Sequence, residues 1–154
     1  MITIAALDHF TRFEDADALR PAVRALCNEQ DVKGTILFGN EGVNGTIAGP
    51  RVGIDAVLAR LRSLPGCAAL EWKESFSEKQ IFGKIKVRLK REIVTMGQPD
   101  VDPLSAVGNY VQAKDWNDLI AQDDVVVIDT RNDYEVAIGT FDGAIDPETS
   151  TFGQ

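Results

Sequence analysis

The sequence predicts an α+β fold for residues 1–97, with two helices on one face of a sheet, followed by the start of an α/β domain. Segments of alternating apolar residues and segments of helical apolar spacing follow one another in the order β-α-β-β-α-β, with one added strand. That order is the ferredoxin-like split βαβ unit, whose sheet is expected to be antiparallel. The second domain is predicted from Val125–Ile128, four β-branched residues that are typical of a fully buried parallel strand.

The first strand and the first helix are predicted from the residues before position 30. Apolar and polar residues alternate weakly over Ile2–Leu7, which indicates a strand. A helix follows, because apolar residues recur there at helical spacing, with Asp15 or Asp17 as its cap and Pro21 in its first turn. The recurring residues are Leu19, Ala22, Val23, Leu26 and Cys27.

The central part of the first domain is predicted as a hairpin followed by a helix. The strands Val32–Phe38 and Val43–Ala48 are separated by Gly39–Gly42, whose residues suit a tight turn. The second helix begins at Pro50, and Pro65 with the following glycine ends it. Its apolar face consists of Ile54, Val57, Leu58, Leu61 and Leu64.

Two more strands complete the first domain. The fourth is predicted over Ala69–Phe76 and the fifth over Lys84–Val94. In the fifth strand, apolar residues alternate with cations, so one face is expected to be buried and the other charged.

The charge balance changes near position 97 and predicts the domain boundary. Residues 1–97 carry 14 Lys and Arg against 12 Asp and Glu, a net charge of +2. Residues 98–154 carry 2 against 12, a net charge of −10. A cluster of Gly, Pro and Asp follows position 96, so we expect a linker over 98–108. A partial second domain is expected over 109–154, with a helix at Ala113–Gln122.

Composition indicates a cytoplasmic globular protein. Hydrophobic residues make up 44% and charged residues 26%, with no apolar run long enough to span a bilayer and no secretory signal. Two cysteines do not make a disulfide framework. Because the chain has one histidine and no cysteine pair at ligand spacing, we expect no metal site and no evident cofactor.

Two segments are candidates for binding. The run from Glu41 to Gly49 is rich in glycine, so its backbone N–H groups could approach a ligand; the alternative is a hairpin with a bulge at Asn44-Gly45 and no ligand. Its candidate site residues are Glu41, Gly42, Asn44, Gly45 and Thr46. The second segment presents cations that could bind nucleic-acid phosphates or could simply be a solvated strand face. These cations are Lys84, Lys86, Arg88, Lys90 and Arg91.

Other functions on this fold are open to a test by residue type. An RNA-recognition motif needs aromatic residues on the central strands, and Ile2–Leu7 and Val43–Ala48 contain none. An acylphosphatase-type enzyme would use Arg12, after the first strand, with Asn44, although the loop around Arg12 lacks glycine. An acylphosphatase-type enzyme remains an alternative function, and so does a protein interaction module.

The remaining reactive residues are assigned structural roles. Cys27 lies on the apolar face of the first helix and is predicted as a core residue, whereas Cys67 follows a Pro-Gly turn and is expected to be partly exposed. A structural or solvent role is favoured for His9. Asp129 and Arg131, at the end of the predicted buried strand, are expected to form a salt bridge that holds the turn.

Three stretches together resemble the rhodanese-domain tRNA uridine 5-hydroxylase family, of the UPF0176 type. They are Glu41–Gly49, Lys84–Thr95, and Val126–Glu135 with its continuation through Gly139–Ile145. In that family an acylphosphatase-like domain precedes a rhodanese domain. The resemblance covers nearly the whole chain in the expected order.

The resemblance implies oxygen-dependent formation of 5-hydroxyuridine at the tRNA wobble position, with molecular oxygen as co-substrate and tRNA as partner. The presumed active cysteine of the family lies in a rhodanese loop that follows the matched segments. We therefore expect an N-terminal fragment that binds tRNA, is inactive alone and contains no catalytic residue; whether the chain is itself an enzyme stays open. A sulfurtransferase fragment is an alternative, and self-association through the incomplete second domain is a further expectation.

Overall fold

The computed structural model describes residues 1–93, 97–98, 100–102, 104–105, 108–151 and 154. These residues fall into two compact units, one within Met1–Val94 and Pro99–Ser105 and one within Thr95–Gln98 and Ala106–Gln154. The predicted boundary at position 97 and the predicted linker over 98–108 stay predictions. The described residues of 100–105 group with the first unit, and Arg12 forms an ion pair with Asp102 there.

The first unit is a five-stranded sheet with two helices. Its elements are β1 (Ile2–Phe10), a 3₁₀ turn (Asp17–Leu19), α1 (Arg20–Glu29), β2 (Lys33–Gly39), β3 (Gly42–Gly49), α2 (Arg51–Arg62), β4 (Glu71–Ser77) and β5 (Ile85–Leu89). The strand order is β4-β1-β3-β2-β5. The first four strands pair antiparallel, which confirms the ferredoxin-like order. The added strand β5 pairs parallel with β2, so the sheet is mixed, whereas an antiparallel sheet was expected.

The helices and the sheet enclose one apolar core. Alternate residues of the central strands, including Ile36, Phe38 and Ile47, point toward the helices and are fully buried. Both helices add apolar side chains at helical spacing, as predicted. The helical residues are Val23, Cys27, Ile54, Val57, Leu58 and Leu61. The core therefore fixes which face of each strand is turned to the helices and which is left open.

Most element boundaries differ from the prediction by one to three residues, and for α1 and β5 the structure shows the cause. Helix α1 begins at Arg20, because the preceding segment forms a 3₁₀ turn in which the Asp15 carboxylate accepts a hydrogen bond from the Ala18 N–H. Strand β5 ends at Leu89, and the predicted continuation to Val94 lies partly outside the described residues. The Lys90 N–H donates to the Phe38 carbonyl at 2.7 Å, and β2 ends one residue later. Beyond that point β2 offers no residues for further pairing.

The second unit contains two short helices, α3 (Ala113–Ile120) and α4 (Asp133–Ile138). The prediction of a fully buried strand at Val125–Ile128 is wrong for the part of the chain described here. Ile128 forms a single parallel bridge with Ile145, and the side chains of Val126 and Ile128 are 67% and 58% exposed. A parallel strand is buried only when neighbouring strands and helices cover both of its faces. One bridge does not provide that cover.

Candidate nucleic-acid interface

The face of the sheet that points away from the helices carries two rows of mostly polar side chains across the five strands. Strand pairing places Lys73, Ala6, Thr46, Thr35 and Lys86 side by side, from β4 to β5. A second row, one pleat away, consists of Glu71, Asp8, Asn44, Leu37 and Arg88. These side chains share a face because register partners point to the same side of a sheet. We call this surface the open face.

The predicted cations lie at the β5 end of the open face. Ile85 and Val87 are turned to the core, so Lys86 and Arg88 point to the other side and are exposed. Lys84 precedes the strand, and Lys90 and Arg91 follow it, all three exposed. The alternation in the sequence thus sets the orientation of the paired strand, as predicted.

None of these five cations has an acidic partner among the described residues, unlike several arginines elsewhere in the chain. Arg12 forms an ion pair with Asp102, and Arg20 forms one with Asp17. Arg51 pairs with both Asp55 and Glu74. Within the described ranges, no carboxylate lies at ion-pair distance from any predicted cation of this edge. Their charges are therefore available to an anionic ligand.

The glycine-rich segment forms the middle of the sheet. Gly42, Asn44, Gly45 and Thr46 all belong to β3, and Asn40-Glu41 is a two-residue turn between Gly39 and Gly42. The register between β2 and β3 is unbroken through Asn44-Gly45, so the alternative of a bulge is wrong.

The glycine at position 45 is required by the neighbouring strand. A Cβ atom added there would lie 2.3 Å from the Thr35 carbonyl oxygen, a backbone atom that cannot move aside cheaply. Gly45 thus permits a close approach between strands β3 and β2.

Polar groups of the central strands face the same side as the cations. Thr35 and Thr46 lie opposite each other, both partly exposed, and the Asn44 amide donates to the Asp8 carboxylate at 3.4 Å. By contrast, the Glu41 carboxylate accepts a 2.6 Å hydrogen bond from the Ile93 N–H and holds the segment after β5. Glu41 therefore has a structural partner, whereas Thr35 and Thr46 are partly exposed on this face.

The arrangement around Arg12 does not form an anion cradle of the acylphosphatase type. The Thr11 and Phe13 N–H groups donate to the Glu41 and Asn40 carbonyls at 3.1 Å each. The Arg12 guanidinium pairs with Asp102, so neither it nor these N–H groups are free for a phosphate. Arg12 and Asn44, the pair that this reading needs, are each engaged by a carboxylate.

Neither cysteine is suited to nucleophilic catalysis. Cys27 is fully buried, as predicted, and burial raises the pKa of its thiol to about 11. The expectation that Cys67 is partly exposed is wrong: the Pro-Gly turn folds over the core, Cys67 is fully buried, and burial raises the pKa of its thiol as well. His9 Nε2 lies 2.8 Å from the Gly66 carbonyl oxygen, to which it can donate, in keeping with a structural role.

In the second unit, Asp129 and Arg131 form the expected salt bridge. Two nitrogens of the guanidinium bind the two carboxylate oxygens at 2.9 and 2.7 Å, and the Thr140 hydroxyl donates to the same carboxylate at 2.7 Å. These hydrogen bonds hold the pKa of Asp129 well below its usual range. Arg131 also donates to the Gly139 carbonyl at 2.6 Å, so the pair joins the two ends of α4.

Apolar side chains are exposed around a cleft of the second unit. The cleft measures about 640 Å³ and is lined by Trp116, Ile128 and Phe141, among others. The rings of Trp116 and Phe141 lie 5.2 Å apart, and Phe141 and Ile128 remain more than half exposed. Among the described residues, no cluster of side chains could hold a metal ion, and no helix is long and apolar enough to cross a membrane.

Comparison with protein families identifies the first unit. Residues 2–93 match the family described as "UPF0176 acylphosphatase like domain". The chain belongs to the UPF0176 family. This membership and the strand order confirm the predicted resemblance and the acylphosphatase-like α+β fold with an extra strand.

Curated relatives match the whole chain. The tRNA uridine(34) hydroxylase of Roseobacter denitrificans is 67% identical over 154 residues, which cover all of this chain and 52% of that protein. The tRNA uridine(34) hydroxylase of Ruegeria pomeroyi is 70% identical over 152 residues, which cover 99% of this chain and 50% of that protein. The chain spans about half the length of these relatives.

A solved structure of an acylphosphatase from Coxiella burnetii also matches the UPF0176 chain. Its TM-score is 0.37 at 17% identity, and the match covers 58% of this chain and 90% of that protein.

The sequence did not single out Thr35, Leu37 or Arg24, which lie near the predicted cations. Thr35 and Leu37 join the open face only through the pairing of β2 with β5, and Arg24 lies on the neighbouring helix α1. The alternation of β2 was a usable signal, since its odd-numbered residues oppose the buried Ile36 and Phe38.

Proposed function

We propose that this chain is the N-terminal part of a tRNA uridine(34) hydroxylase, and that its first unit binds tRNA at the β5 end of the open face. The observation that carries this proposal is the clustering of five exposed cations on and beside β5, with no acidic partner for any of them among the described residues, on a chain whose net charge is −8. The relatives that match the chain at 67% and 70% identity carry the name of that activity.

The role of the cations is to bind phosphates. The strip along the β5 edge of the sheet consists of Lys84, Lys86, Arg88, Lys90 and Arg91. Acidic residues more than about 10 Å from this strip are largely screened at moderate salt. Binding of this kind is insensitive to base sequence and weakens steeply with salt. The acidic second unit does not prevent it, because the ligand responds to the local charge.

The polar centre of the open face would contact the nucleotide itself. The hydroxyls of Thr35 and Thr46 lie beside the strip and offer donors and acceptors to a sugar or a base edge. Gly42 and Gly45 have a structural role in strand β3. Glu41 also has a structural role, because its carboxylate binds the segment after β5.

The chemical step is assigned to the full-length protein. Both cysteines of this chain are buried with raised pKa values, so neither supplies a reactive thiolate. We assign residues 109–154 to the opening of a rhodanese domain, in which the Asp129–Arg131 pair holds the turn before α4. Molecular oxygen as co-substrate and a cytoplasmic location belong to the same proposal.

The test uses the full-length protein with Lys86→Gln and Arg88→Gln combined. Because these residues bind substrate without taking part in chemistry, the KM for tRNA should rise about tenfold or more, while kcat at saturating tRNA stays within twofold. The product is measured as 5-hydroxyuridine in digested tRNA. Arg60→Gln, an exposed arginine on α2 without an acidic partner among the described residues, is the control. An unchanged KM in the double variant would refute the role of the strip.

A second candidate function is self-association through the second unit. Its support is the exposure of large apolar side chains there, with Ile138 87% and Tyr134 61% exposed. The occupant would be a second copy of this chain. Light scattering at increasing concentration should show the mass rising toward that of a dimer, and Ile138→Asp should abolish the rise. A monomer mass at all concentrations would exclude this candidate.

A further inference from the structure

A cleft separates the C-terminal half of helix α1 from the start of strand β5. It measures about 280 Å³, and its rim carries Arg24, Lys33 and Lys84, together with Asn28 and Asp31. It lies beside the β5 edge and includes only Lys84 of the strip described above.

The position of the cleft follows from the packing of α1 against β5. Arg20 on α1 donates to the Val87 carbonyl of β5 at 3.3 Å, so the helix runs along this strand. Residues four apart lie on one face of a helix, so Arg24 and Asn28 follow Arg20 toward the beginning of β5. Arg20 is neutralised by Asp17, whereas no carboxylate in the described part of the chain pairs with Arg24.

The charge of the cleft favours a single anion. Three cations and one carboxylate line the cleft, and the nearest oxygen of that carboxylate, Asp31, lies 4.0 Å from Lys33 Nζ, the outer limit for an ion pair. Lys84 is exposed and has no acidic partner among the residues described. Asn28 adds an uncharged amide donor on the same helix face.

The floor of the cleft is apolar and neutral. It is formed by Cys27, Val32 and Ile85, all buried. The thiol of Cys27 has a pKa raised to about 11 by burial, so it carries no charge that would repel an anion at neutral pH. Contacts between cations and an anion are stronger above such a floor than in bulk water.

We infer that this cleft binds one phosphate group of the bound RNA strand through Arg24 and Lys84. The inference rests on the proposed function and deepens it. The RNA passes over the open face at Lys86 and Arg88, turns around the β5 edge at Lys84, and places the next phosphates against α1. Lys84 thus serves both surfaces, and Arg24 is a phosphate-binding residue on a helix outside the β5 strip.

The test measures tRNA binding to this chain as a function of KCl concentration. Arg24→Gln should lower the slope of log K against log[KCl] by about 1, as expected for the loss of one phosphate contact. Arg60→Gln removes the same charge from α2, outside the cleft, and should leave the slope unchanged. Asp31→Asn should tighten binding about threefold, because it removes the one carboxylate of the rim. Thermal unfolding midpoints matching that of the wild type confirm that each variant is folded.

The outcomes separate this inference from the proposed function. If Arg24→Gln behaves like Arg60→Gln while Lys86→Gln with Arg88→Gln lowers the slope, the cleft assignment is wrong and the strip stands. If none of these variants lowers the slope, both the cleft assignment and the role of the strip are wrong.

A titration with inorganic phosphate, followed through the Gly83 amide resonance, tests the source of the anion. A shift that disappears in Arg24→Gln, with no effect of that variant on the tRNA slope, would assign the cleft to free phosphate and overturn the inference.

Discussion

Lys86 on the edge strand β5 lies beside Thr35 on β2, in the parallel pair that joins the added strand to the sheet. Thr35 lies in turn opposite Thr46 on β3, so a cation and two hydroxyls form one continuous row. Phosphate contacts position a nucleic acid, whereas contacts to sugars and bases carry recognition. The row therefore combines both kinds of contact on a rigid sheet.

Removal of the two hydroxyls should weaken tRNA binding without changing its salt dependence. Thr35→Val and Thr46→Val together keep the side-chain shape and delete two neutral hydrogen-bonding groups, which contribute about 0.5 to 1.5 kcal/mol each. We expect an affinity loss of about tenfold, measured by fluorescence anisotropy, with an unchanged slope against log[KCl]. The matched Thr→Ser variants retain the hydroxyls and should bind like the wild type. Full binding by the valine variant would exclude contacts at this row.

Gly45→Ala should destabilise the first unit. The added methyl group would lie 2.3 Å from the Thr35 carbonyl oxygen, and strands β2 and β3 would have to separate. Overpacking of this kind costs about 1 to 3 kcal/mol or more in the free energy of unfolding. Urea unfolding in a Trp116→Phe background, followed by the emission of Trp72, measures the loss. Gly83→Ala is the control, since no atom lies within 4 Å of its added carbon, and its unfolding midpoint should not fall.

Both cysteines should resist thiol reagents in the folded chain. Burial removes access, and a pKa raised from 9.0 to about 11 lowers the thiolate fraction of Cys27 by about 100-fold. We expect negligible labelling by a disulfide reagent at pH 7 over minutes, and two thiols labelled per chain in denaturant. Rapid labelling of either cysteine in the native chain would show that the core around it is open.

The second unit should lose stability in acid through Asp129. Its pKa is lower in the folded chain than in the unfolded chain, so its contribution is present above an unfolded pKa of about 3.9 and is lost as the pH falls below that value. Thermal unfolding of a Trp72→Phe variant, followed through Trp116, should show a lower midpoint at pH 3 than at pH 7. Asp129→Asn removes this titration, so its midpoint should be lower at pH 7 and should change less between the two pH values. An equal pH response in the two proteins would contradict the role of the Asp129–Arg131 pair.

The fold of the first unit was predictable because most of its strands and helices show a clear hydrophobic period. Ile36 and Phe38 alternate with Lys33, Thr35 and Leu37 along β2, and burial follows that alternation in the structure. The same rule gave the orientation of Lys86 and Arg88. The antiparallel pairing of the first four strands followed from the order of the elements, whereas the parallel pairing of β5 with β2 was not predicted.

The composition of the open face was not predictable to the same degree. The row from Lys73 to Lys86 joins residues that are far apart in sequence and requires the register of four strand pairs. The glycine at position 45 suggested a ligand, but its requirement comes from the Thr35 backbone. In the second unit, the run Val125–Ile128 indicated burial, although burial depends on partners that a local pattern does not specify.

The most direct test of the central claim is the salt dependence of tRNA binding by this chain, with and without the two cations on β5. If Lys86 and Arg88 each bind a phosphate, Lys86→Gln with Arg88→Gln lowers the slope of log K against log[KCl] by about 1.4 to 1.8. A slope for the double variant equal to that of Arg60→Gln would contradict the assignment of tRNA to the β5 edge.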